Sequence, residues 1–457
     1  MGPRDKQGFG MNHESPLLFT ARWVLGPEGV IENGCVHIAG GRILAVCPRE
    51  DVPASLMEKQ PGTEHRDLGE ALILPGLVNA HCHAPMTLFR GAADDMELLP
   101  WLERRIWPLE AELTREITFL GTMLACAEMA AAGITCFADM YVWSNETARA
   151  VHDVGLRAVL SEGLLGFPTR SYGSVEESLA LTRSFMEEYA AHPRISFAPA
   201  PHTAFTSTEE QLVQSYALSK ELDSPWLIHA AETASENSRV LEMHGQRTIP
   251  YLDSLGCLGE RAVLVHAVDL TPEEVEIIAA RGAKIVHCPR SNWKLASGMA
   301  PVHALGAAGV TMALGTDGAA SNNSLDILGE MRAAALGAKI RQMDPTALPA
   351  AEVLAMATRN GAAALRLPGS GMLKPGQPAD LCVLNFAGPH LQPCHDPLSH
   401  AVYAAQGSDV CLTMVDGRIV YDHGAFPTLD YPALLEAGHE VQAHMRKVLD
   451  RKGRQER

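Results

Sequence analysis

The chain has 457 residues, of which 47% are hydrophobic and 20% are charged, so it can bury a large core and is not dominated by disorder. Its 54 acidic and 37 basic residues give a formal net charge of −17. This excess argues against a nucleic-acid partner, which would need clustered Lys and Arg, and no uncharged apolar run is long enough to span a bilayer.

The cysteines and the N-terminal segment predict a cytoplasmic protein. The ten cysteines are scattered and include no Cys-x-x-Cys pair, so reduced thiols are a simpler interpretation than a disulfide framework. Residues 1–15 are polar and lack the apolar stretch of a signal peptide. We expect this segment to be a loose tail.

Both flanks of the chain carry β-hairpin signals. Short apolar segments are joined by Gly40-Gly41 near the N-terminus and by Asp416-Gly417 near the C-terminus. We therefore expect one small β-sandwich domain built from residues 16–70 and 369–430. Residues 431–457 are expected to form an amphipathic helix and a charged tail.

The middle of the chain, residues 71–368, alternates short apolar runs with longer helical patterns. This alternation is typical of repeated βα units and a parallel sheet. Eight units predict an α/β fold with a closed (β/α)8 TIM-type barrel. The strand candidates are Leu72–Asn79, Ile134–Met140, Leu156–Leu160, Ile195–Ala200, Trp226–Ala230, Ala262–His266, Lys284–Cys288 and Val310–Gly315.

Two helices between these strands have readable ends. Residues 112–132 have helical spacing, and Gly133 supplies a stop. Thr271 is placed as an N-cap, followed by Pro272 at the first helical position and two acids in the first turn.

The first strand candidate leads into the segment His81-Cys82-His83. Side chains two apart in an extended strand point to the same face, so His81 and His83 project together. Two neutral imidazoles on one face make half of a tetrahedral zinc site. Taken alone the motif is weak, and two unrelated surface histidines would explain it equally well.

The ends of the later strands strengthen the metal interpretation. His202 follows the fourth strand, His229 lies on the fifth, His266 ends the sixth and Asp317 follows the eighth. Glu232 comes three residues after His229. Each of these residues alone has an ordinary structural explanation. Together they lie on the face where barrel enzymes carry out their chemistry, which indicates an active site.

The residue types suggest hydrolysis at one metal ion. Three histidine nitrogens and one carboxylate oxygen would bind a divalent metal, zinc in the first place and iron as the alternative, and leave room for one water whose pKa the metal lowers. Glu232 could move a proton between that water and a substrate, and His266 could orient the attacking group. The metal ligands proposed are His81, His83, His229 and Asp317.

One absence in the sequence favours a single ion over a pair. Two-metal versions of this chemistry use a carboxylated lysine on a middle strand. Between His83 and His229 the only lysine is Lys220, which falls in a helical pattern. The alternative zinc deaminase motif with Pro-Cys-x-x-Cys is also missing, since Pro393-Cys394 is followed by no second cysteine at that spacing.

Several long phrases resemble the amidohydrolase superfamily and, within it, the methylthioadenosine/S-adenosylhomocysteine deaminases. The resemblance is close over roughly residues 70 to 368, and the flanking β domain fits it as well. The phrases are Val78-Asn79-Ala80-His81-Cys82-His83-Ala84-Pro85-Met86-Thr87, Trp107-Pro108-Leu109-Glu110, His287-Cys288-Pro289 with Ser291-Asn292, and Leu314-Gly315-Thr316-Asp317-Gly318-Ala319-Ala320-Ser321.

This resemblance implies hydrolytic removal of the adenine amino group of a nucleoside, giving an inosine-type product and ammonia. The nucleoside would be 5'-methylthioadenosine, S-adenosylhomocysteine or adenosine. It implies that Glu232 protonates the purine ring, that His266 steadies the attacking group and that Asp317 carries a proton to the leaving amine. Glu110 would contact the ribose hydroxyls and His202 the purine ring. A homo-oligomer is expected on the same ground.

One departure from the family bears on the choice of substrate. Some members carry an arginine after the third strand, where this chain has Ser161-Glu162-Gly163. Glu162 would repel a homocysteine carboxylate, and Arg170 in the following loop is the candidate to bind it. Two alternatives stay open: hydrolysis of another ring, such as guanine, an oxidised purine or a triazine, and a non-catalytic metal-binding homologue.

Overall fold

A computed structural model of the chain describes residues 16–52, 63–96 and 98–455, so the expected tail at residues 1–15 lies outside the described residues. The strands are β1 Leu17–Gly26, β2 Gly29–Ala39, β3 Arg42–Pro48, β4 Glu64–Asp67, β5 Ala71–Pro75, β6 Leu77–Cys82, β7 Ile134–Tyr141, β8 Arg157–Leu164, β9 Ile195–Phe197, β10 Ala200–Pro201, β11 Trp226–Ala230, β12 Ala262–His266, β13 Lys284–His287, β14 Met312–Leu314, β15 Leu381–Asn385, β16 Val410–Val415 and β17 Arg418–Asp422.

The α-helices alternate with the strands through the middle of the chain. They are α1 Leu98–Trp101, α2 Trp107–Glu110, α3 Arg115–Ala131, α4 Ser144–Val154, α5 Val175–Glu188, α6 Glu209–Glu221, α7 Ala234–His244, α8 Thr248–Ser254, α9 Pro272–Arg281, α10 Pro289–Lys294, α11 Val302–Ala307, α12 Ala319–Asn322, α13 Ile327–Gln342, α14 Ala350–Met356, α15 Arg359–Ala364, α16 Pro397–Tyr403 and α17 Tyr431–Gln455.

Two parallel sheets form the centre of the fold and confirm the α/β class. One sheet has the order β10-β8-β7-β6 with β9 also on β8, and the other has the order β11-β12-β13-β14. Buried side chains from both sheets share one apolar cluster, including Val78 and Val159 from the first and Val263 and Val286 from the second. The two sheets therefore face a common interior, which puts their carboxyl ends at the same side.

Seven of the eight predicted central strands correspond to observed strands with small shifts at the ends, although the fourth is split into β9 and β10. The first candidate, predicted as one strand over Leu72–Asn79, is wrong. β5 ends at Pro75 and belongs to the outer sheet, whereas β6 begins at Leu77 and belongs to the parallel sheet. Gly76 lies between the two strands, where a Cβ would lie 2.1 Å from Oγ1 of Thr135, so this position has no room for a side chain.

Both ends of the chain contribute to one mixed sheet of eight strands, with the order β17-β16-β15-β5-β1-β2-β3 and β4 on β1. The two ends meet where β5 pairs antiparallel with β15, with Leu381 opposite Pro75. Both predicted hairpins are present, as β2–β3 and β16–β17. Asp416 and Gly417 turn the second hairpin with φ of +51° and +75°.

The predicted helix ends are confirmed. Thr271 caps α9 in a reciprocal capping box with Glu274, and Pro272 occupies the first helical position. Gly133, which follows the end of α3, has a φ of +80°. The C-terminal helix α17 starts at Tyr431 as predicted. Within the described parts of the chain, no helix combines the length and apolar character that a bilayer crossing requires.

Candidate metal centre and active site

The predicted metal ligands converge at the carboxyl ends of the parallel strands. His81 lies on β6 and His83 one residue beyond its end, His229 lies on β11, and Asp317 follows β14 by three residues. Nε2 of His83 is 3.1 Å and Nε2 of His81 is 3.4 Å from Oδ1 of Asp317. Nε2 of His229 is 3.2 Å from Nε2 of His81.

These separations fit one metal ion. Four ligands at the usual zinc–nitrogen distance of about 2.0–2.1 Å stand about 3.3 Å from each other at the corners of a tetrahedron. The ligand atoms of His81, His83 and Asp317 all lie within 4.8 Å of each other, and so do those of His81, His229 and His266. Three imidazole nitrogens and a carboxylate oxygen are a donor set that suits zinc and also iron.

Hydrogen bonds to the main chain fix the tautomers of two ligands. Nδ1 of His83 donates to the carbonyl of Met140 at 2.6 Å, and Nδ1 of His229 donates to the carbonyl of His202 at 2.8 Å. With Nδ1 used in this way, Nε2 is the atom of each ring that can bind a metal. The fold thus fixes the orientation of both rings.

The electrostatics of the cluster favour an ionised carboxylate among mostly neutral imidazoles. Burial lowers the pKa of His81 to about 4, although Asp317 opposes that effect. Burial, followed by the neighbouring histidines, holds the pKa of His229 well below its usual value. Burial disfavours the charge on Asp317, but hydrogen bonds from His81 and His83 outweigh it and lower the pKa of this carboxyl. Burial opposes protonation of His83, and the bond to Asp317 overcomes this and raises its pKa to about 9.

Asp317 is oriented by two hydroxyls on its far oxygen. Ser291 donates to Oδ2 at 2.6 Å and Ser321 donates to the same atom at 2.7 Å. Asp317 has a left-handed φ of +60°, which a non-glycine residue rarely adopts and which turns the carboxylate toward the histidines. Both serines lie inside phrases that resemble the family, but the sequence alone does not predict this role for them.

Glu232 and His266 lie together beside the metal cluster. Oε2 of Glu232 is 3.8 Å from Nε2 of His266. Ser297 donates to Oε1 of Glu232 at 3.2 Å, and Nδ1 of His266 donates to Oδ1 of Asn292 at 2.8 Å. The His266 ring stacks on the His229 ring with centroids 5.4 Å apart. A proton-transfer group and a ring able to hold an attacking oxygen are therefore close to the predicted ion.

Glu110 is connected to this centre through a residue that the sequence analysis missed. Tyr141, the last residue of β7, donates its hydroxyl to Oε1 of Glu110 at 2.8 Å, and its ring centroid is 6.0 Å from that of His83. Burial raises the pKa of Glu110. The position of Tyr141 at a strand end was the signal that could have identified it.

His202 also lies where the sequence placed it. Its ring centroid is 5.0 Å from that of His229, and Nδ1 bonds to Oγ1 of Thr206 at 2.8 Å. Burial lowers its pKa to about 4. A neutral ring of this kind can hydrogen-bond a purine without adding charge to the site.

Two residues were named for substrate selectivity. Glu162 is buried, and its carboxylate accepts hydrogen bonds from the main-chain nitrogens of Trp143 and Ser144 at 3.2 and 3.0 Å. This carboxylate therefore caps the start of α4, and its repulsion of a substrate carboxylate stays a prediction. Arg170 is exposed and donates to the carbonyl of Ala111, next to Glu110.

The chain is similar to known proteins over most of its length. The model of the amidohydrolase family matches residues 72–420. The chain belongs to the amidohydrolase family. A 5-methylthioadenosine/S-adenosylhomocysteine deaminase of Nitratidesulfovibrio vulgaris (strain Miyazaki F) is 48% identical over 425 residues, which cover 93% of this chain and 95% of that protein.

Two further amidohydrolase relatives cover almost the whole chain. A 5'-deoxyadenosine deaminase of Methanothermobacter thermautotrophicus is 42% identical over 437 residues, 95% of this chain and all of that protein. The crystal structure of an adenosine deaminase from Xanthomonas campestris with bound zinc superposes with a TM-score of 0.90 at 36% identity, covering 94% of this chain and 98% of that one.

Proposed function

We propose that this amidohydrolase removes the 6-amino group of an adenine nucleoside by hydrolysis, releasing ammonia and an inosine-type nucleoside. The candidate substrates are 5'-methylthioadenosine, S-adenosylhomocysteine and adenosine. The observation that carries the proposal is the position of Glu232 and His266, 3.8 Å apart, beside His81, whose Nε2 is 3.4 Å from Oδ1 of Asp317 and 3.2 Å from Nε2 of His229. Relatives named as deaminases of such nucleosides, at 42–48% identity over most of the chain, support the substrate class.

His81, His83, His229 and Asp317 would hold one divalent ion, zinc or iron. When bound, such an ion supplies Lewis-acid chemistry that makes water acidic near neutral pH. Asp317 accepts a proton from the attacking water and passes it to the departing amine. Glu232 donates a proton to the ring nitrogen next to the attacked carbon and takes one back from the hydroxyl at that carbon as the amine leaves and the carbonyl forms. His266 hydrogen-bonds to the attacking oxygen.

Glu110 and His202 would bind the nucleoside itself. The carboxylate of Glu110 accepts hydrogen bonds from the ribose hydroxyls, while Tyr141 holds it in place. His202 contacts the purine, and Arg170 is kept as the candidate for a charged 5' substituent. The ribose contact favours a nucleoside over the alternative substrates, which are guanine, an oxidised purine or a triazine ring. The presence of Glu232, His266 and Asp317 argues against a homologue that binds metal without catalysis, since metal binding alone needs no proton transfer.

We also propose the finer organisation of the chain. Residues 71–368 would form a closed (β/α)8 barrel, supported by hydrogen bonds from Asp317 N to His81 O at 3.1 Å and from His229 N to His202 O at 3.1 Å, which join the two parallel sheets. Residues 16–70 and 369–430 would form the β-sandwich, supported by one buried cluster that includes Phe19, Val36, Leu381 and Met414. Residues 431–457 would be a separate helix and tail.

A cytoplasmic location and a homo-oligomer complete the proposal. The location is supported by the ten cysteines, all of which are free thiols. Neither a nucleic acid nor a membrane is proposed as a partner, given the net charge of −17. Light scattering of the purified protein tests the oligomer.

An ultraviolet assay tests the function directly. Purified zinc-loaded protein is given methylthioadenosine, S-adenosylhomocysteine, adenosine and guanine in parallel, and purine absorbance is followed together with ammonia release. Turnover of the adenine nucleosides without turnover of guanine supports the proposal. If metal is bound but no adenine nucleoside is turned over, the proposed function is contradicted and only a metal-binding site remains.

A further inference from the structure

The segment between His229 and Glu232 bends sharply at Ala231. Its φ is +54°, in the left-handed region that is unfavourable for a non-glycine residue. The carbonyl of Ala231 accepts hydrogen bonds from the main-chain nitrogens of Val268 and Asp269, each at 2.9 Å. A backbone in this conformation persists only where the surroundings hold it.

The carboxylate of Glu236 supplies the other half of that support. Oε1 accepts the main-chain N–H of Ala231 at 2.8 Å, and Oε2 accepts the N–H of Glu232 at 2.7 Å. Glu236 is 7% exposed and lies in the first turn of α7. The main-chain N–H of Glu236 donates to Oγ1 of the capping residue Thr233 at 3.1 Å. One buried carboxylate thus binds the two consecutive N–H groups that lead into the proposed proton donor.

Glu236 is itself fixed by α8. Thr248 donates its hydroxyl to Oε1 at 3.2 Å, and the N–H of Thr248 donates to Oδ1 of Asn237 at 3.1 Å. Asn237 donates in turn to Oδ2 of Asp269 at 2.8 Å. The carboxylate therefore has little freedom to follow the loop if the loop moves.

The Glu232 side chain has less support than its backbone. Its described side-chain neighbours are Ser297, at the long hydrogen-bond distance of 3.2 Å, and His266 at 3.8 Å. The direction of the Glu232 carboxylate is therefore set mainly where its main chain leaves Ala231. A change in the main-chain conformation at Ala231 would move the proton donor Glu232 relative to the ligand His229, which lies three residues earlier in the chain.

We propose that Glu236 is a positioning residue, which holds the Ala231–Glu232 main chain in the bent conformation that aims Glu232 at the substrate. This role rests on the proposed function, since it assumes that Glu232 is the proton donor. Glu236 itself touches neither the substrate nor the metal ligands' side chains in this assignment. Misplacing a reacting group by about 1 Å can cost about 100-fold in rate.

Glu236→Gln tests the role, because the amide keeps the shape of the side chain but turns one acceptor into a donor that faces an N–H. We expect kcat to fall about 10- to 100-fold and KM to change less than about threefold, since the loss concerns alignment for reaction. Hydrogen exchange of the Ala231 and Glu232 amides should speed up. Metal content, measured by atomic absorption, should stay that of the wild type.

Glu274→Gln is the matched control. Glu274 is 2% exposed, lies in the first turn of α9 and accepts bonds from Nε of Arg247 and from the N–H of Thr271, both at 2.8 Å. Like Glu236, it is a buried carboxylate in the first turn of a helix, but it makes no hydrogen bond to Ala231 or Glu232. We expect this control to lose a comparable amount of thermal stability while keeping wild-type kcat and unchanged exchange at Ala231 and Glu232.

The outcomes separate this inference from the proposed function. A normal kcat in Glu236→Gln, unchanged exchange of the two amides, or an equal fall of kcat in Glu274→Gln would each overturn the positioning role. Full turnover by Glu232→Gln, or a wild type that deaminates no adenine nucleoside, would contradict the proposed function on which the positioning role rests. A fall of kcat with faster exchange, in Glu236→Gln alone, supports the inference.

Discussion

Oδ1 of Asp317 lies 3.1 Å from Nε2 of His83, while its Oδ2 accepts the hydroxyls of Ser291 and Ser321. The two oxygens of one carboxylate therefore face different partners. One oxygen faces the ligand cluster, and the other is held by the protein. A group anchored in this way can take a proton without swinging out of the site.

Removing the charge of Asp317 should remove most of the activity. We expect Asp317→Asn to lower kcat by about 10²- to 10⁴-fold, because the amide can no longer accept a proton from water. Ser291→Ala should be milder, weakening metal affinity by about 10- to 100-fold as the orienting hydrogen bond is lost. Metal titration and steady-state kinetics measure both effects, and full turnover by Asp317→Asn would contradict the mechanism.

Glu232→Gln separates proton transfer from metal binding. The amide keeps the size of the side chain and its contact with Ser297, but cannot donate a proton to the purine. We expect kcat to fall by about 10²- to 10⁴-fold with unchanged metal content. Rapid-mixing kinetics and atomic absorption on the same sample check this. Unchanged activity would refute Glu232 as the proton donor.

Glu110 and Tyr141 should decide between nucleoside and free base. Losing a hydrogen bond to a charged group costs about 1.5–3 kcal/mol, so Glu110→Gln should lower kcat/KM for adenosine by about 10- to 100-fold. Activity on free adenine, which lacks the ribose, should change far less. Tyr141→Phe should show the same pattern more weakly. An equal loss on adenosine and adenine would show that Glu110 does not bind the sugar.

Stability should fall below about pH 6.5 partly because of His192, far from the metal cluster. Burial, then the charge of Arg194, then His152 lower the pKa of His192 to about 4. Between about pH 4 and the unfolded value of 6.5 the unfolded chain binds the proton and the folded chain does not. The free energy of unfolding therefore decreases as the pH falls through this window.

The variant His192→Asn tests this contribution by urea unfolding at pH 7 and pH 5. The ring is only partly buried, so we discount the full linkage and expect the wild type to lose roughly 1 kcal/mol more than the variant between the two values. Nδ1 of His192 accepts the N–H groups of Arg194 and Ile195 at 3.2 and 2.9 Å, so the variant will also start from a lower stability. If the wild type and the variant lose the same free energy of unfolding between pH 7 and pH 5, the contribution assigned to His192 is contradicted.

Local sequence signals predicted the parts of this protein that depend on neighbouring residues. The two-residue spacing of His81 and His83 put them on one face, and Thr271-Pro272 marked the start of a helix. The order of βα units then implied that His229, His266 and Asp317 would meet at one end of the parallel strands. These inferences succeed because strand alternation, helix capping and the shared direction of parallel strands follow from backbone geometry.

Only the tertiary structure decided the contacts between distant segments. The apolar run at residues 72–79 looks like one strand, but its two halves pair in different sheets on either side of Gly76. The hydrogen bonds by which Glu162 caps the start of α4 could not be read from the sequence. The support of Asp317 by Ser291 and Ser321, and of Glu110 by Tyr141, depends on atoms brought within 3 Å from different elements. A sequence pattern predicts which face of a strand or helix a side chain occupies, whereas the packing of distant segments determines which residue that side chain contacts.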